Sequence, residues 1–357
     1  MDFILKDALK TAQQTGRITE SDVGQANIKV LGVGGGGSNM VSWLYKKGIR
    51  GAEVFAINTD KQHLDITDAD GKVLLGQDLT RGLGAGGYPK VGMEAAKESI
   101  SELKEIVRGA DMVFICAGFG GGTGSGACPV IAKLAKETGA IVIGTVTMPL
   151  DIEKARIDKA EFALQQLREV SDTVIVIDNN RLVRIAGKLP IKQAFAVANE
   201  LVSTMIKGIV ETISVPSLVN LDYADVKAIM TDGGVSIVGI GESNSEDRVE
   251  ESVKRALTNP LLDVDYNGAT GALIHITGGD DLTLDEVSRI GEIVSEALDP
   301  DAQVIWGARI DDGMEGQLRV MTIITGVQSP YIVGKNTASM AKSAGKRVNL
   351  ELGIETI

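Results

Sequence analysis

The stretch Gly118-Phe119-Gly120-Gly121-Gly122-Thr123-Gly124-Ser125-Gly126 decides how the rest of the chain is read. It follows the apolar run Met112-Val113-Phe114-Ile115-Cys116-Ala117, whose length and composition predict a buried strand. It precedes Pro129-Val130-Ile131-Ala132-Lys133-Leu134-Ala135, which predicts a helix. Glycine lets backbone N–H groups turn freely and approach a ligand with no Cβ in the way. The first turn of a helix adds unpaired N–H groups at the positive end of its dipole. A strand, a glycine loop and a helix in that order therefore predict an anion site, most often for a phosphate. The plain alternative is a connecting surface loop, but linkers are not usually clamped between two buried elements.

A second unit of the same kind lies upstream. The strand Ile28-Lys29-Val30-Leu31 runs into Gly32-Val33-Gly34-Gly35-Gly36-Gly37-Ser38-Asn39 and then the helix-like Met40-Val41-Ser42-Trp43-Leu44-Tyr45. Gly32, Gly34 and Gly37 satisfy G-x-G-x-x-G in the strand-to-helix context, with Glu53 and Asp60 downstream. Taken singly, this is a dinucleotide fingerprint shared by many oxidoreductases. The loop at Gly118 argues against a nicotinamide enzyme, because a dinucleotide needs one pyrophosphate cradle whereas a nucleoside triphosphate can use two. No G-x-x-x-x-G-K-[ST] sequence occurs, and neither glycine loop carries Lys or Arg. Phosphate charge must then be balanced by backbone N–H groups, helix dipoles and Mg²⁺.

The remaining elements alternate as an α/β chain should. Glu53-Val54-Phe55-Ala56-Ile57 leads to Asn58-Thr59-Asp60, and the glycine turn Gly82 to Gly87 precedes a helix from about Val91 to Val107. Strands follow at Ala140 to Thr147 and Thr173 to Ile177. This order predicts a Rossmann-like, mostly parallel sheet with the glycine loops converging on one edge. Pro190 opens a long helix whose apolar residues, from Ile191, Ala194, Phe195 and Ala198 through Val202, Met205, Ile209 and Ile213, recur at helical spacing. Such a helix predicts a buried spine. Beyond Pro216 comes a second, smaller α/β unit with strands at Val235 to Ile240, Gly271 to Thr277, Gln303 to Ile310 and Leu318 to Gly326, and with no phosphate loop.

Composition excludes other classes. With 357 residues, 44% hydrophobic and 24% charged, the chain has material for two cores and is neither disordered nor fibrous. A formal net charge of −12 repels nucleic acid and anionic membrane. Cys116 and Cys128 sit in apolar runs and suggest neither a disulfide framework nor a metal site, as in a reducing cytoplasm. His63 and His275 stand apart from any nucleophile signature and read as structural or solvent-facing. Asp2, Lys6 and Asp7 interrupt the apolar start too early for a signal-peptide core, and no stretch is long and apolar enough to insert in a bilayer. Ile4, Leu5, Ala8, Leu9 and Ala12 suit a short amphipathic helix packed on its own domain.

Gly120 to Gly126 matches the tubulin signature. Together with Gly32 to Asn39, Asn58-Thr59-Asp60, Gly84-Ala85-Gly86-Gly87 and Asn220-Leu221-Asp222-Tyr223-Ala224-Asp225, in this order, the chain resembles the FtsZ family, the prokaryotic cell-division GTPases related to tubulin. The resemblance covers about residues 27 to 328. It implies an N-terminal extension at 1–26, a GTP-binding domain at 27–189, a central helix at 190–215, a polymerisation and GTPase-activating domain at 216–328, and a flexible tail at 329–357 with a short terminal peptide. It implies that Gly35, Gly36, Gly37, Asn39, Gly122, Thr123 and Gly124 contact the phosphates of GTP or GDP, with Ala85 and Gly86 facing the γ-phosphate. Asn58 and Asp60 belong to the same nucleotide site, as does Arg156. Glu153 would hold the ribose, Asn179 and Glu200 would read guanine, and Asn220, Asp222 and Asp225 would complete hydrolysis. Mg²⁺ would be held mainly by phosphates and water.

The chain departs from the family pattern in places. Pro149-Leu150-Asp151-Ile152-Glu153-Lys154-Ala155-Arg156 lacks the usual glycine and brings Arg156 one residue closer to Glu153. The family's Asn-Asp pair appears as Asn179-Asn180, and its base-facing aspartate as Glu200, which has one more rotatable bond to fix. The tail gathers Lys335, Lys342, Lys346 and Arg347 before an apolar end. It reads either as disordered or as a peptide for a membrane-tethering or division-regulator protein, as the resemblance implies. The expectation is a cytoplasmic GTPase at the division site that polymerises head-to-tail with itself. The alternatives are a monomeric Rossmann oxidoreductase, a shape-determining paralogue, and a filament protein that has lost hydrolysis; Asp222 and Asp225 speak against that loss.

Overall fold

Strand β1 (Ile28–Val33) is buried along its whole length and serves both faces of a sheet: Ile28 and Val30 join one apolar cluster, Leu31 and Val33 another. Side chains alternate across a strand, so a strand with no polar face must be covered on both sides. In the computed structural model, which describes residues 26–214, 219, 222–231, 234–258 and 269–327, that cover is helical on each face. Around β1 lie β2 (Ala52–Asn58), β3 (Gly71–Leu74), β4 (Met112–Gly118), β5 (Ile141–Met148) and β6 (Thr173–Asp178), all parallel, in the order β3-β2-β1-β4-β5-β6. The order reverses between β1 and β4, which opens a crevice beyond their carboxyl ends.

The longer helices are α1 (Gly34–Lys46), α2 (Pro89–Glu98), α3 (Ile100–Val107), α4 (Thr123–Glu137), α5 (Lys154–Val170), α6 (Asn179–Ala186), α7 (Ile191–Ser214), α8 (Tyr223–Met230), α9 (Arg248–Leu257) and α10 (Leu284–Glu296). Met40, Val41 and Leu44 of α1 pack with Val202, Met205, Ile206 and Ile209 of α7 against one face of the sheet. Ile131 and Leu134 of α4 and Leu164 and Leu167 of α5 cover the other. The long helix α7 is thus the expected buried spine. Phe195, which the sequence pattern placed on its apolar face, is 45% exposed.

The second unit is a mixed sheet of β7 (Gly234–Ser243), β8 (Gly271–Gly278), β9 (Gln303–Ile310) and β10 (Leu318–Thr325). β10 runs antiparallel between β7 and β8, and β9 is the parallel edge. Among the described residues β7 joins the first sheet through two pairs, Thr173↔Gly234 and Val174↔Val235, so the 10-stranded order is continuous but narrow at this seam. Spine and second sheet meet closely: a β-carbon at Gly208 would lie 2.6 Å from Met321 Sδ. Arg309 also reaches back to Glu211 of α7 at 3.3 Å. The Rossmann-like sheet, long helix and smaller α/β unit expected from the sequence are all present. Among the described residues no helix is long and apolar enough to cross a membrane. The N-terminal extension except Ala26, the tail at 329–357 and Asn220 lie outside the described residues.

The structure moves several boundaries. α1 and α4 begin at Gly34 and Thr123, several residues before the expected starts at Met40 and Pro129, so the glycine loops are partly first helical turns and Pro129 lies inside α4. The helix expected from about Val91 to Val107 breaks at Ser99. There the Ser99 hydroxyl accepts from Gly76 N–H at 3.1 Å and the Glu98 carboxylate accepts from Asp78 and Leu79 N–H at 2.9 and 3.2 Å. These bonds serve the turn at 76–80 and divide α2 from α3.

Candidate nucleotide site

Three turns meet beyond the carboxyl ends of β1, β2 and β4. Neither α1 nor α4 has a side-chain cap at its N-terminus, so the first-turn N–H groups remain for solvent or a ligand. The two turns touch: a β-carbon at Gly34 would lie 2.8 Å from Gly124 N, and one at Gly36 would lie 2.9 Å from Gly118 Cα. The Thr59 and Thr123 hydroxyls share a hydrogen bond of 2.7 Å, which brings in the turn after β2. The turn at 82–87 bends through positive φ at Gly82, Gly84, Gly86 and Gly87, and Lys159 pins it by donating to the Gly87 carbonyl at 2.8 Å. Gly35 to Gly37, Asn39, Ala85, Gly86 and Gly122 to Gly124 are thereby gathered along one edge.

The glycines divide into two kinds. At Gly122 a β-carbon would meet Ala85 Cβ at 2.7 Å and Tyr88 N at 2.9 Å, so this glycine permits two turns to pack. At Gly35 and Gly121 a β-carbon would meet nothing within 4 Å, so these two face open space beside the uncapped helix ends. Gly121 was missed from the sequence, because nothing in a glycine run separates a packing glycine from one that lines a cradle.

Asn58 is buried and its amide oxygen accepts from Thr59 N–H at 2.9 Å and Asp60 N–H at 3.3 Å, so this oxygen shapes the turn after β2. Asp60 Oδ1 accepts from His63 N–H at 3.1 Å and caps the short helix Lys61–Asp65. The shortened spacing of Glu153 and Arg156 makes an ion pair of 2.6 Å one helical turn apart, while Glu153 Oε2 accepts from Leu150 N–H at 3.0 Å. Asn180 accepts from Asp151 N–H at 2.8 Å and donates through Nδ2 to Asp178 at 3.0 Å, tying this loop to α6. Asn179 Oδ1, by contrast, is buried and has no hydrogen-bond partner among the described residues. Glu200 is not free: Lys47 pairs with its Oε1, and Trp43 Nε1–H donates to its Oε2 at 2.7 Å. Burial opposes its charge, but Lys47, Trp43 and Thr204 outweigh it and hold the carboxyl below the usual range.

Asp222 and Asp225 are not brought to these turns. Asp222 precedes α8 and makes no capping bond to it, which leaves its carboxylate free of its own helix. The neighbouring Tyr223 hydroxyl donates to the Asp111 carbonyl at 2.8 Å, just before β4 begins, whereas Gly118 to Gly122 lie at the other end of β4.

The family model for the Tubulin/FtsZ family, GTPase domain, matches residues 27–187, and that for the FtsZ family, C-terminal domain, matches 234–328. The chain belongs to the FtsZ family. It is 56% identical over 337 residues to cell division protein FtsZ 2 of Methanocaldococcus jannaschii, covering 94% of this chain and 88% of that one. It is 48% identical over 353 residues to FtsZ 2 of Halobacterium salinarum, with 98% and 90% covered. An empty FtsZ dimer from M. jannaschii superposes with a TM-score of 0.80 at 49% identity, covering 90% of this chain and 91% of that chain. As an FtsZ-family chain with the family's GTPase domain, it is a GTPase that binds guanine nucleotide.

Proposed function

We propose that this protein is a cell-division GTPase that assembles head-to-tail, with hydrolysis completed by the Asp222 and Asp225 region of the neighbouring subunit. The observation that carries this reading is the Tyr223–Asp111 hydrogen bond, which puts the Asp222 side at the opposite end of β4 from the glycine turns. At about 3.3 Å per residue a strand of this length separates the two by roughly 20 Å. No side chain spans that gap within one chain, whereas stacking closes it between chains. A contact of this heterologous kind does not close on itself and gives a filament. Exposed Leu79, Leu83, Tyr88 and Ile152 on the nucleotide edge supply apolar surface for the contact.

At the site, the N–H groups of Gly35, Gly36, Gly37, Gly122, Thr123 and Gly124 take the phosphate charge, with Asn39 beside them and Ala85 and Gly86 toward the γ-phosphate. Glu153, held by Arg156, takes the ribose, and the unpartnered Asn179 oxygen takes a guanine donor. Mg²⁺, when bound, would be held mainly by the phosphates and water and would neutralise phosphate charge. Asn220, Asp222 and Asp225 orient the attacking water. The relatives' role in cell division extends here to a cytoplasmic polymer at the division site, with residues 329–357 recruiting a tethering or regulatory protein. Light scattering and phosphate release with GTP, GDP, ATP and NAD, on the natural chain and on Gly121→Val, test this reading. GTP alone should drive assembly and turnover, and the variant should fold yet bind no nucleotide. NAD binding, or wild-type GTP affinity in Gly121→Val, would overturn it.

A further inference from the structure

Lys159 brings a cation to a glycine turn that carries none of its own. It lies on α5, 72 positions beyond Gly87 in the chain, and its ammonium donates to the Gly87 carbonyl at 2.8 Å. The same ammonium sits over the exposed Tyr88 ring, 5.5 Å from the centroid and within cation–π reach. α5 is a firm base for this reach, because its first turn packs on the phosphate loop: a β-carbon at Gly120 would lie 2.8 Å from Arg156 Cβ.

The turn at 82–87 needs such a tie. Its first half is joined to the turn after β2 by backbone bonds, from Lys61 N–H to the Gly82 carbonyl at 3.0 Å and from Gly84 N–H to the Thr59 carbonyl at 3.1 Å. Its second half, 85–87, has no backbone bond to another element. Tyr88 N–H donates to the Ala85 carbonyl at 3.0 Å, a local bond, and among the described residues the one hydrogen bond that reaches 85–87 from elsewhere is that of Lys159. The N–H groups of Ala85, Gly86 and Gly87 have no hydrogen-bond partner among the described residues. With Gly86 and Gly87 at φ of 58° and 76°, successive free N–H groups of this kind make a concave site for an anion. An untied glycine turn would lose backbone freedom on meeting that anion, and the loss would oppose binding.

We infer that Lys159 is a positioning residue for the terminal phosphate: it holds 85–87 with their N–H groups ready for the γ-phosphate, adds positive charge beside them, and so sets the preference for GTP over GDP. The inference rests on the reading above in which Ala85 and Gly86 face the γ-phosphate. GDP has no third phosphate and loses little when the tie is cut.

The test is equilibrium binding of GTP and GDP to the full chain at protein concentrations too low for assembly, with thermal unfolding as the check on folding. Lys159→Met keeps most of the aliphatic stem and removes the donor and its charge. It should weaken GTP binding about tenfold, as the loss of one charged hydrogen bond does, and GDP binding less than about twofold; Lys159→Arg should restore most of the difference. A loss shared equally by GTP and GDP would mark Lys159 as structural and overturn the inference. Gly86→Asp separates the inference from the reading it rests on. A β-carbon there would meet only the Tyr88 ring, at 3.5 Å, aspartate tolerates positive φ, and its carboxylate would repel a third phosphate at the turn. If Gly86→Asp lowers the GTP-to-GDP affinity ratio and Lys159→Met does not, the role of Lys159 alone fails; if Gly86→Asp leaves the ratio unchanged, the turn does not face the γ-phosphate and both fail.

Discussion

His275 is a buried residue on β8 opposite Met321 of β10 and Gly307 of β9, and its Nδ1 has no hydrogen-bond partner among the described residues. Burial, and then the charges of Arg309 and Arg319, push its imidazole down to about 4. The unfolded chain binds this proton near pH 6.5, so between 6.5 and about 4 the unfolded state holds more protons and stability falls as pH drops. At pH 5 the loss amounts to about 2 kcal/mol from this one residue. Denaturant midpoints at pH 7.5 and pH 5 check it: His275→Leu should show a loss smaller by about that amount. Equal losses in the variant and the natural chain would mean that other groups carry the acid sensitivity. The same residue marks a limit of reading sequence. Its isolation from any nucleophile signature left it open whether His275 is structural or solvent-facing; its burial and its two arginine neighbours come from strand pairings and were not legible.

At the scale of the element, the glycine turns were legible because no other residue allows such close approach, and the strands because buried runs of their length have few other readings. The helix starts were not, since hydrophobic periodicity needs side chains and the first turns of α1 and α4 are mostly glycine. Nor could spacing reveal the Lys47 and Trp43 grip on Glu200, which joins residues more than a hundred positions apart. The anchoring of α8 is of the same long-range kind. Before α8, Val219 exchanges two backbone hydrogen bonds with Ala308 of the edge strand β9, at 3.0 and 3.2 Å. At its start the Tyr223 hydroxyl holds the first sheet through Asp111. Asp222 sits between these anchors, so its direction depends on both. Tyr223→Phe removes one neutral hydrogen bond and should lower GTP turnover about fivefold, as roughly 1 kcal/mol of lost positioning does, with GTP affinity unchanged. Turnover equal to that of the natural chain would show that the Val219 anchor suffices.

For the whole molecule, the question is whether one subunit carries a complete catalytic site. α7 runs from Ile191 to Ser214, and at about 1.5 Å per residue the stretch from Glu200 to its end spans roughly 20 Å, with Asp222 farther along the chain. The gap along β4 is of similar size, so spine and strand independently set the carboxylates apart from the glycine turns. Asp222→Ala should therefore bind GTP normally and lose hydrolysis by on the order of 10² or more. Gly121→Val should lose GTP binding while keeping its Asp222 side intact. In an equal, random mixture a subunit with an intact nucleotide site meets a neighbour with an intact loop in about one contact of four, so phosphate release should recover toward a quarter of the natural rate. Recovery should rise with total protein concentration, because the site forms only at a contact. Neither variant alone has any such contact, so the activity of the mixture cannot come from either parent. If the two variants co-sediment and phosphate release still stays at the level of the separate proteins, hydrolysis is completed within one subunit and the head-to-tail mechanism is wrong.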